Sequence, residues 1–205
     1  MATETHLHAP ASGSLLDYRH RITVDQYHRM LDLGILGPDP RTELLGGVIV
    51  IKATKSPPHV LATELLEGLL HRIMPAGYFP SMGNPTCIAE RDSEPEPDAQ
   101  VIRGSPRDYA GRCRGSRDAA LVIVVADASY DYDRYEKWVT YAGAGIPVYW
   151  ILDLNRRHLE VHTGPEGQGE EARYRDARLL GPDEEVALVL DGREAARFLV
   201  REILP

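Results

Sequence analysis

The chain has 205 residues, of which 43% are hydrophobic and 26% charged, a composition typical of a globular protein and unlike a disordered or fibrous one. Its formal net charge is −8, whereas proteins that coat phosphate backbones are usually basic over at least one face. The longest apolar run, Ala119–Ala126, is much shorter than the roughly 18 residues of a membrane-spanning helix. We therefore predict no membrane partner, and any interaction with nucleic acid must depend on particular residues.

The two cysteines, Cys87 and Cys113, stand far apart in the sequence and lack the spacing of a metal-binding motif. The N-terminus also lacks the basic start and apolar stretch of a signal peptide, and together these features indicate a reducing, cytoplasmic setting. Residues 1–14 are polar and are predicted to form a flexible tail. Residues 15–205 contain no linker-like segment and are predicted to form a single domain.

The first predicted elements are a short helix, a hairpin and a long helix. Thr23 and Gln26 have the spacing of a capping box, which predicts a helix directly after Thr23. The pair Gly46-Gly47 joins two strands, because glycines supply the positive φ angles of a tight turn. Ser56 is suited to cap the long helix and Pro57 to occupy its first turn. Apolar residues at helical spacing predict a wide inner face: Leu61, Leu65, Leu69 and Ile73, with Leu66 and Leu70 beside them.

The second half of the chain alternates between strand and helix patterns. Residues 120–126 form a continuous apolar run rich in β-branched residues, typical of a strand buried on both faces. A helix is predicted over residues 131–142, and a terminal helix near residues 194–200. Further strands are predicted at 85–90, 98–102, 148–152, 158–162, 173–180 and 186–190. This order predicts an α/β fold with a central mixed sheet flanked by helices.

Three residues are candidates for chemistry, although each also has an ordinary structural interpretation. Asp98 follows Pro97 and begins a strand, where a carboxylate can bind a metal, but Asp and Pro are also common in turns. Lys137 shares a helical stripe with Asp133, which predicts an ion pair worth roughly 0.3–0.5 kcal/mol or a cation that stabilises charge on a phosphate. Glu43 precedes the hairpin turn and is either a solvated strand end or an acidic site residue.

The other polar residues have mainly structural interpretations. The alternation of Glu94, Glu96 and Asp98 between prolines predicts an exposed extended loop. His59, in the first turn of the long helix, could reach the same end of the sheet as Glu43. Arginines in and beside the segment 104–118 predict a solvated loop or the lining of a basic groove: Arg103, Arg107, Arg112, Arg114 and Arg117.

A metal site is a further alternative for His158, Glu160 and His162, which share one face of a predicted strand. Two imidazoles and a carboxylate are a legitimate ligand set. The same alternation is also how a hairpin presents a wet outer face, and no fourth ligand is nearby in the sequence. We favour the wet face.

Taken together, several motifs in order resemble the Uma-two family, described as putative restriction endonucleases, within the PD-(D/E)XK nuclease superfamily. The resemblance extends over about residues 24–161, and the ordered set is more specific than any single motif. The motifs are Glu43 with Leu44-Leu45-Gly46-Gly47, Ser56-Pro57-Pro58-His59, Pro97-Asp98, Leu121–Asp127 with Ser129, Asp133-Arg134 through Lys137, and residues 141–153.

The resemblance implies a restriction-endonuclease-like core and metal-dependent cleavage of DNA. It implies that Asp98, Lys137 and Glu43 are catalytic, and that Asp98 and Glu43 bind Mg²⁺. In such nucleases the ion activates water and neutralises the scissile phosphate.

One departure from the family pattern concerns the strand before the helix, where the family usually has a central glutamate and this chain has Val124. A hydrocarbon side chain cannot bind Mg²⁺, which prefers oxygen ligands. The glutamate often found before Tyr-Trp is likewise replaced, by Val148. We therefore predict an impaired or inactive nuclease. The alternative is a non-enzymatic protein on a nuclease scaffold, acting as a homodimer or a partner-binding module.

Overall fold

The computed structural model describes residues 20–38, 41–127 and 133–205, which form a mixed α/β structure around a six-stranded sheet. The predicted tail, residues 1–14, lies outside the described residues. The sheet contains β3 (Tyr78–Met82), β4 (Ala99–Arg103), β5 (Ala119–Ala126), β6 (Val148–Asp153), β7 (His158–Glu166) and β8 (Arg173–Leu180), adjacent in that order. Only β5 and β6 are parallel to each other, as a crossover through a helix requires. The prediction of a central mixed sheet flanked by helices is confirmed.

Helices cover the two faces of this sheet. On one face, α2 (Pro57–Ile73) packs through Ala62, Leu66 and Leu70 on an apolar cluster that includes Val125. On the other face, a π-helical turn (Asp133–Lys137) leads into α3 (Trp138–Gly143). Tyr141 and Ala142 of α3 pack in a second cluster with Val124, Tyr149 and Ile151.

Two small hairpins and one short helix complete the fold. The strands β1 (Thr42–Leu45) and β2 (Val48–Ile51) form the predicted hairpin, with Gly46 and Gly47 at positive φ. Beside it lies α1 (Val24–Asp32), whose Thr23 and Gln26 form the predicted capping box. The strands β9 (Glu185–Leu190) and β10 (Arg193–Leu199) form an antiparallel hairpin whose apolar side chains join the cluster beneath α2.

Two of the predicted elements are wrong, and the buried face of α2 differs in part from the prediction. Residues 193–199 are a strand and not a helix, because Phe198 and its neighbours pair with β9. Residues 85–90 pair only at isolated bridges, and the edge strand at 78–82 was not predicted. In α2 the exposed side chains include Leu61 and Leu65, so the buried stripe is rotated toward Ala62, Leu66, Leu69 and Leu70.

Nowhere in the described ranges does a helix have both the length and the apolar character needed to cross a bilayer.

Candidate active site

A cavity of about 500 Å³ lies at one end of the central sheet. Four parts of the chain meet there: the β1–β2 hairpin, the N-terminus of α2, the ends of β4 and β5, and the π-helical turn. The lining is rich in ionisable side chains, both acidic and basic: Arg41, Glu43, Lys52, Lys55, His59, Glu96, Asp98, Asp127, Asp133 and Lys137.

Lys137 lies between two carboxylates on one side of this cavity. Its Nζ is 3.3 Å from Glu43 Oε1, on the hairpin, and 3.3 Å from Asp133 Oδ1, one turn earlier in its own helix. All three side chains are buried. The backbone N–H of Glu96 donates to the other oxygen of Glu43, at 3.0 Å, so the Glu43 carboxylate is fixed from two directions.

The charge state of Lys137 follows from this arrangement. Burial disfavours an ammonium ion and lowers its pKa, but the charges of Asp133, Glu43 and Asp98 raise it, and the net effect is a pKa above the usual 10.5. Lys137 is therefore a fixed positive charge at neutral pH. Such a group can stabilise negative charge on a phosphate but cannot act there as a general base.

Asp98 lines the same cavity, directly before β4. Its Oδ2 accepts a hydrogen bond from the backbone N–H of Val125, at 2.8 Å. Its Oδ1 is 3.2 Å from both Lys55 Nζ and His59 Nε2. Burial raises the pKa of this carboxyl, but the contacts with His59, Val125 and Lys55 outweigh burial and hold the pKa below its usual value. Asp98 is thus an ionised oxygen donor at neutral pH.

The N-terminus of α2 is held in place at the cavity rim by Ser56. Its hydroxyl accepts from the backbone N–H of His59 as the helix cap and donates to the carboxylate of Asp127, which follows β5. This contact joins the helix that carries His59 to the strand whose backbone binds Asp98.

A buried hydroxyl lies near the charged groups of the site. Tyr141 Oη is fully buried and has no hydrogen-bond partner within the described part of the chain. Burial, with the nearby charges of Glu43 and Asp133, raises the pKa of this phenol well above 10.0. A buried donor without an acceptor costs roughly 1–3 kcal/mol, and Tyr141 packs in the apolar cluster that includes Val124 and does not line the cavity.

The family model described as "Uma2: Putative restriction endonuclease" matches residues 24–195, which include every element of the cavity. The chain belongs to the Uma2 family.

The fold of this Uma2 protein is similar to that of a nuclease-like protein of known structure. That structure is the crystal structure, at 1.96 Å resolution, of a putative nuclease belonging to DUF820 from Anabaena variabilis ATCC 29413. The TM-score is 0.63 at 13% sequence identity, and the match covers 89% of this chain and 97% of the other. No curated protein matches the chain.

The structure brings the three predicted site residues of this Uma2 protein to one cavity. Glu43, Asp98 and Lys137 all line it, although they come from a hairpin, a strand start and a helix. His59, which the sequence placed near the same end of the sheet, contacts Asp98. Sequence analysis missed Lys55, since an isolated lysine carries no distinctive signal. Asp127 ends the motif Leu121–Asp127, but the sequence alone assigns it no role in the site.

Val124 lies on the sheet face that carries Lys137. The β4–β5 register pairs Ala99 with Ile123, which sets Val124 opposite Asp98. Its side chain is 1% exposed and packs in the cluster that includes Tyr141. Val125 belongs to the cluster on the α2 face, because side chains alternate along a strand. Val124 is therefore packed against its neighbours and does not line the cavity, whereas Val125 does.

The prediction that His158, Glu160 and His162 form a wet outer face is wrong. His162 is 1% exposed and Glu160 is also buried, because α3 covers this side of β7 and Trp138 packs edge-on against the imidazole. Glu160 accepts from His162 at 3.0 Å and pairs with Arg134 at 3.2 Å. In the described ranges these three residues do not bring their ligand atoms within 4.8 Å of one another, as a shared ion requires.

One loop prediction needs correction, whereas the prediction of a solvated loop over residues 104–118 agrees with the exposed Arg107, Arg112 and Arg117. The segment 93–98 is largely buried, because Glu94 pairs through its backbone with Leu44 and thereby joins the hairpin. The arginines of the segment 103–117 do not line the cavity. Arg103 instead pairs with Asp191, Arg112 pairs with Asp118, and Arg114 lies over the rings of Phe79 and Tyr109.

Proposed function

We propose that the cavity is a divalent-metal-dependent phosphodiesterase site acting on DNA, weakened by the loss of one acidic ligand at Val124. The observation that carries this proposal is the convergence of Glu43, Asp98 and Lys137 on one open cavity in a chain of the Uma2 family. Membership of a family described as putative restriction endonucleases makes DNA the expected substrate.

Each residue has a role that follows from its charge and position. Lys137 is held positive by Asp133 and Glu43, and its ammonium group would stabilise negative charge that develops on a bound phosphate. Lys55, which pairs with Asp98 and is half exposed, would contact a neighbouring phosphate of the strand. The lysines therefore supply the local positive charge that the overall charge of −8 does not.

The donor set of the cavity fits Mg²⁺ in its chemistry. Asp98 and Glu43 would hold the ion through carboxylate oxygens. When bound, Mg²⁺ would polarise the phosphate and supply an activated water.

The proposed weak metal binding follows from the ion pairs that the cavity carboxylates already form. Lys137 pairs with Glu43, and Lys55 and His59 pair with Asp98, so an ion must compete with these cations. Within the described residues the cavity carboxylates do not form a group of three whose ligand atoms lie within 4.8 Å of one another. A glutamate at position 124 would add an acid opposite Asp98.

A non-enzymatic role is supported by one observation only. A packed Val124 is what a scaffold without catalysis would have, since a valine there avoids the desolvation of a buried charge. The open cavity beside Asp98 favours the phosphodiesterase instead, because a purely structural protein has no need to keep charged groups around an accessible space. A homodimer stays a prediction.

Plasmid nicking tests the proposal with the full-length protein. We expect slow relaxation of supercoiled DNA that requires Mg²⁺ or Mn²⁺ and that falls at least about a hundredfold in Asp98→Asn. Asp183→Asn, which changes an exposed aspartate paired with Arg201, should leave the rate unchanged. Rapid cleavage by the unmodified chain would contradict the impairment, and metal-independent nicking that survives in Asp98→Asn would contradict the site itself.

A further inference from the structure

A second cluster of ligand-type side chains lies outside the cavity. His28 on α1, Glu94 on the segment before β4 and Cys113 on the loop before β5 bring one ligand atom each within 4.8 Å of one another. They are separated by 66 and 19 residues in the chain, so the fold alone assembles them. None of the three lines the cavity that holds Glu43, Asp98 and Lys137.

A fourth ligand-type side chain is adjacent. The thiol of Cys87 interacts with the thiol of Cys113, and the backbone N–H of Cys87 donates to the carbonyl of Arg114 at 2.8 Å. Cys87, Glu94 and Cys113 also share the lining of a small cavity of about 190 Å³. The two cysteines that have no metal spacing in the sequence are therefore neighbours in the fold.

We propose that His28, Glu94, Cys113 and Cys87 form a zinc site. Thiolate, imidazole and carboxylate are the three ligand types that Zn²⁺ takes in proteins, in a tetrahedral arrangement. With bond lengths near 2.0–2.3 Å, such a site sets its ligand atoms roughly 3.3–3.8 Å apart. To reach that geometry, His28 Nε2 and Glu94 Oε2, which lie 2.6 Å apart, would separate to admit the ion and the exposed Cys113 would turn toward it. Cys87, which is not one of the three residues within 4.8 Å of one another, would move in as the fourth ligand.

The surroundings of the cluster carry charges of both signs. Glu94 is buried, so its carboxylate needs a positive partner, which His28 can supply only when protonated. Arg112 and Arg114 line the same small cavity, but Arg112 pairs with Asp118 and Arg114 lies over the rings of Phe79 and Tyr109. Zinc would displace the thiol protons and bind the thiolates, so binding should release protons and weaken on acidification.

The proposed zinc site would also stabilise the strand that carries Glu43 into the cavity. The backbone of Glu94 pairs with that of Leu44, at 2.7 and 3.4 Å, and the next residue toward the cavity on that strand is Glu43. Zinc bound there would tie α1, the segment before β4 and the loop before β5 to this strand. It therefore acts as a structural clamp and takes no part in the proposed phosphate chemistry.

Zinc binding is measured on the full chain, reduced and freed of metal, by competition with a chromogenic chelator. We expect one Zn²⁺ per chain and at least a hundredfold weaker binding in His28→Ala and in Cys113→Ser, since loss of even an outer-sphere partner costs roughly 10–100-fold. The matched control is His71→Ala, which removes an exposed histidine that lies 3.9 Å from Glu67. It should bind zinc like the unmodified chain.

Cobalt substitution tests the ligand set independently of affinity. Co²⁺ should give the intense visible bands of a tetrahedral site and a thiolate charge-transfer band that weakens in Cys87→Ser and in Cys113→Ser. Weak octahedral bands, zinc affinity unchanged by Cys113→Ser, or binding lost equally in His71→Ala would each overturn the proposal. So would a reduced chain that takes up no zinc while the oxidised chain holds a Cys87–Cys113 disulfide. Circular dichroism of Cys113→Ser, an exposed position, establishes that the variant is folded.

Discussion

Two groups of buried charges share the π-helical turn and differ in their access to the cavity. The cavity group contains Glu43, Asp133 and Lys137, and the closed group contains Arg134, Glu160 and His162. Both satisfy buried carboxylates with cations. Only the cavity group borders a space that a substrate can enter.

The difference shows that burial of charge does not by itself identify a functional site. In the closed group, His162 stacks on Tyr149, Trp138 packs against it, and Arg134 lies over the Trp138 ring. The Glu160 carboxylate is directed at protein groups, although the Arg134 side chain stays 31% exposed. In the cavity group, Lys137 and the nearby Asp98 line one space, an arrangement that can hold a phosphate and a metal ion.

The largest expected effect is the loss of Lys137. Lys137→Met removes the cation between two buried carboxylates, and breaking a buried pair in this way costs roughly 3–5 kcal/mol. Urea denaturation should therefore show a much lower free energy of unfolding. Arg134→Met is the matched control in the closed group, and because its guanidinium is about one-third exposed it should cost much less. Equal losses would remove the distinction between the two groups.

How much of this could be predicted from sequence depends on the range of the interactions. Predictions from local patterns are confirmed. The capping box at Thr23, the glycine turn after Leu45 and the helix start at Ser56 all depend on neighbouring residues. The predicted terminal helix failed because pairing between β9 and β10 is a tertiary effect that overrides local pattern.

The candidate site likewise contains residues that the sequence could predict and contacts that it could not. Glu43, Asp98 and Lys137 could be predicted only because an ordered set of motifs resembled a family, since each residue alone had an ordinary interpretation. The contact of Lys55 with Asp98 and the meeting of Cys87 with Cys113 depend on how loops fold, and no spacing in the sequence encodes them.

The second prediction concerns the two neighbouring valines of β5. Val124→Glu adds a carboxylate opposite Asp98, on the face of Tyr141, and should raise Mg²⁺ affinity at least about tenfold because it adds an oxygen ligand. Val125 borders the cavity, but its side chain packs in the apolar cluster beneath α2, so Val125→Glu should destabilise the fold without a gain in affinity. Calorimetric titration with MgCl₂ compares the two variants. No gain in Val124→Glu would count against the assignment of this position.

A third prediction separates stability from metal binding. Glu160→Gln keeps an acceptor for His162 but loses the charge that faces Arg134, and should cost about 1–2 kcal/mol in the free energy of unfolding. It should leave Mg²⁺ affinity unchanged, whereas Glu43→Gln should lower it. Thermal denaturation and calorimetry measure the two quantities separately. A fall in Mg²⁺ affinity in Glu160→Gln would show that the closed group is coupled to the cavity.

The smallest expected effects are those of pH on the free energy of unfolding, and they have opposite signs for Asp98 and Lys137. The pKa of Asp98 in the folded protein lies below 3.8, so its contribution to stability is complete above that value and is lost as pH falls through the folded pKa. The pKa of Lys137 lies above 10.5, so its contribution is complete below that value and is lost as pH rises through the folded pKa.

The acid and alkaline losses of stability can be measured separately with one variant for each residue. The difference in unfolding free energy between the unmodified chain and Asp98→Asn should be constant at neutral pH and should narrow below about pH 4, where the carboxyl becomes protonated. The corresponding difference for Lys137→Met should narrow only on the alkaline side, above about pH 10.5. A difference for Lys137→Met that narrows near neutral pH would mean that the ammonium is not held charged by Asp133 and Glu43. Lys137 would then be a candidate proton acceptor and not a fixed charge.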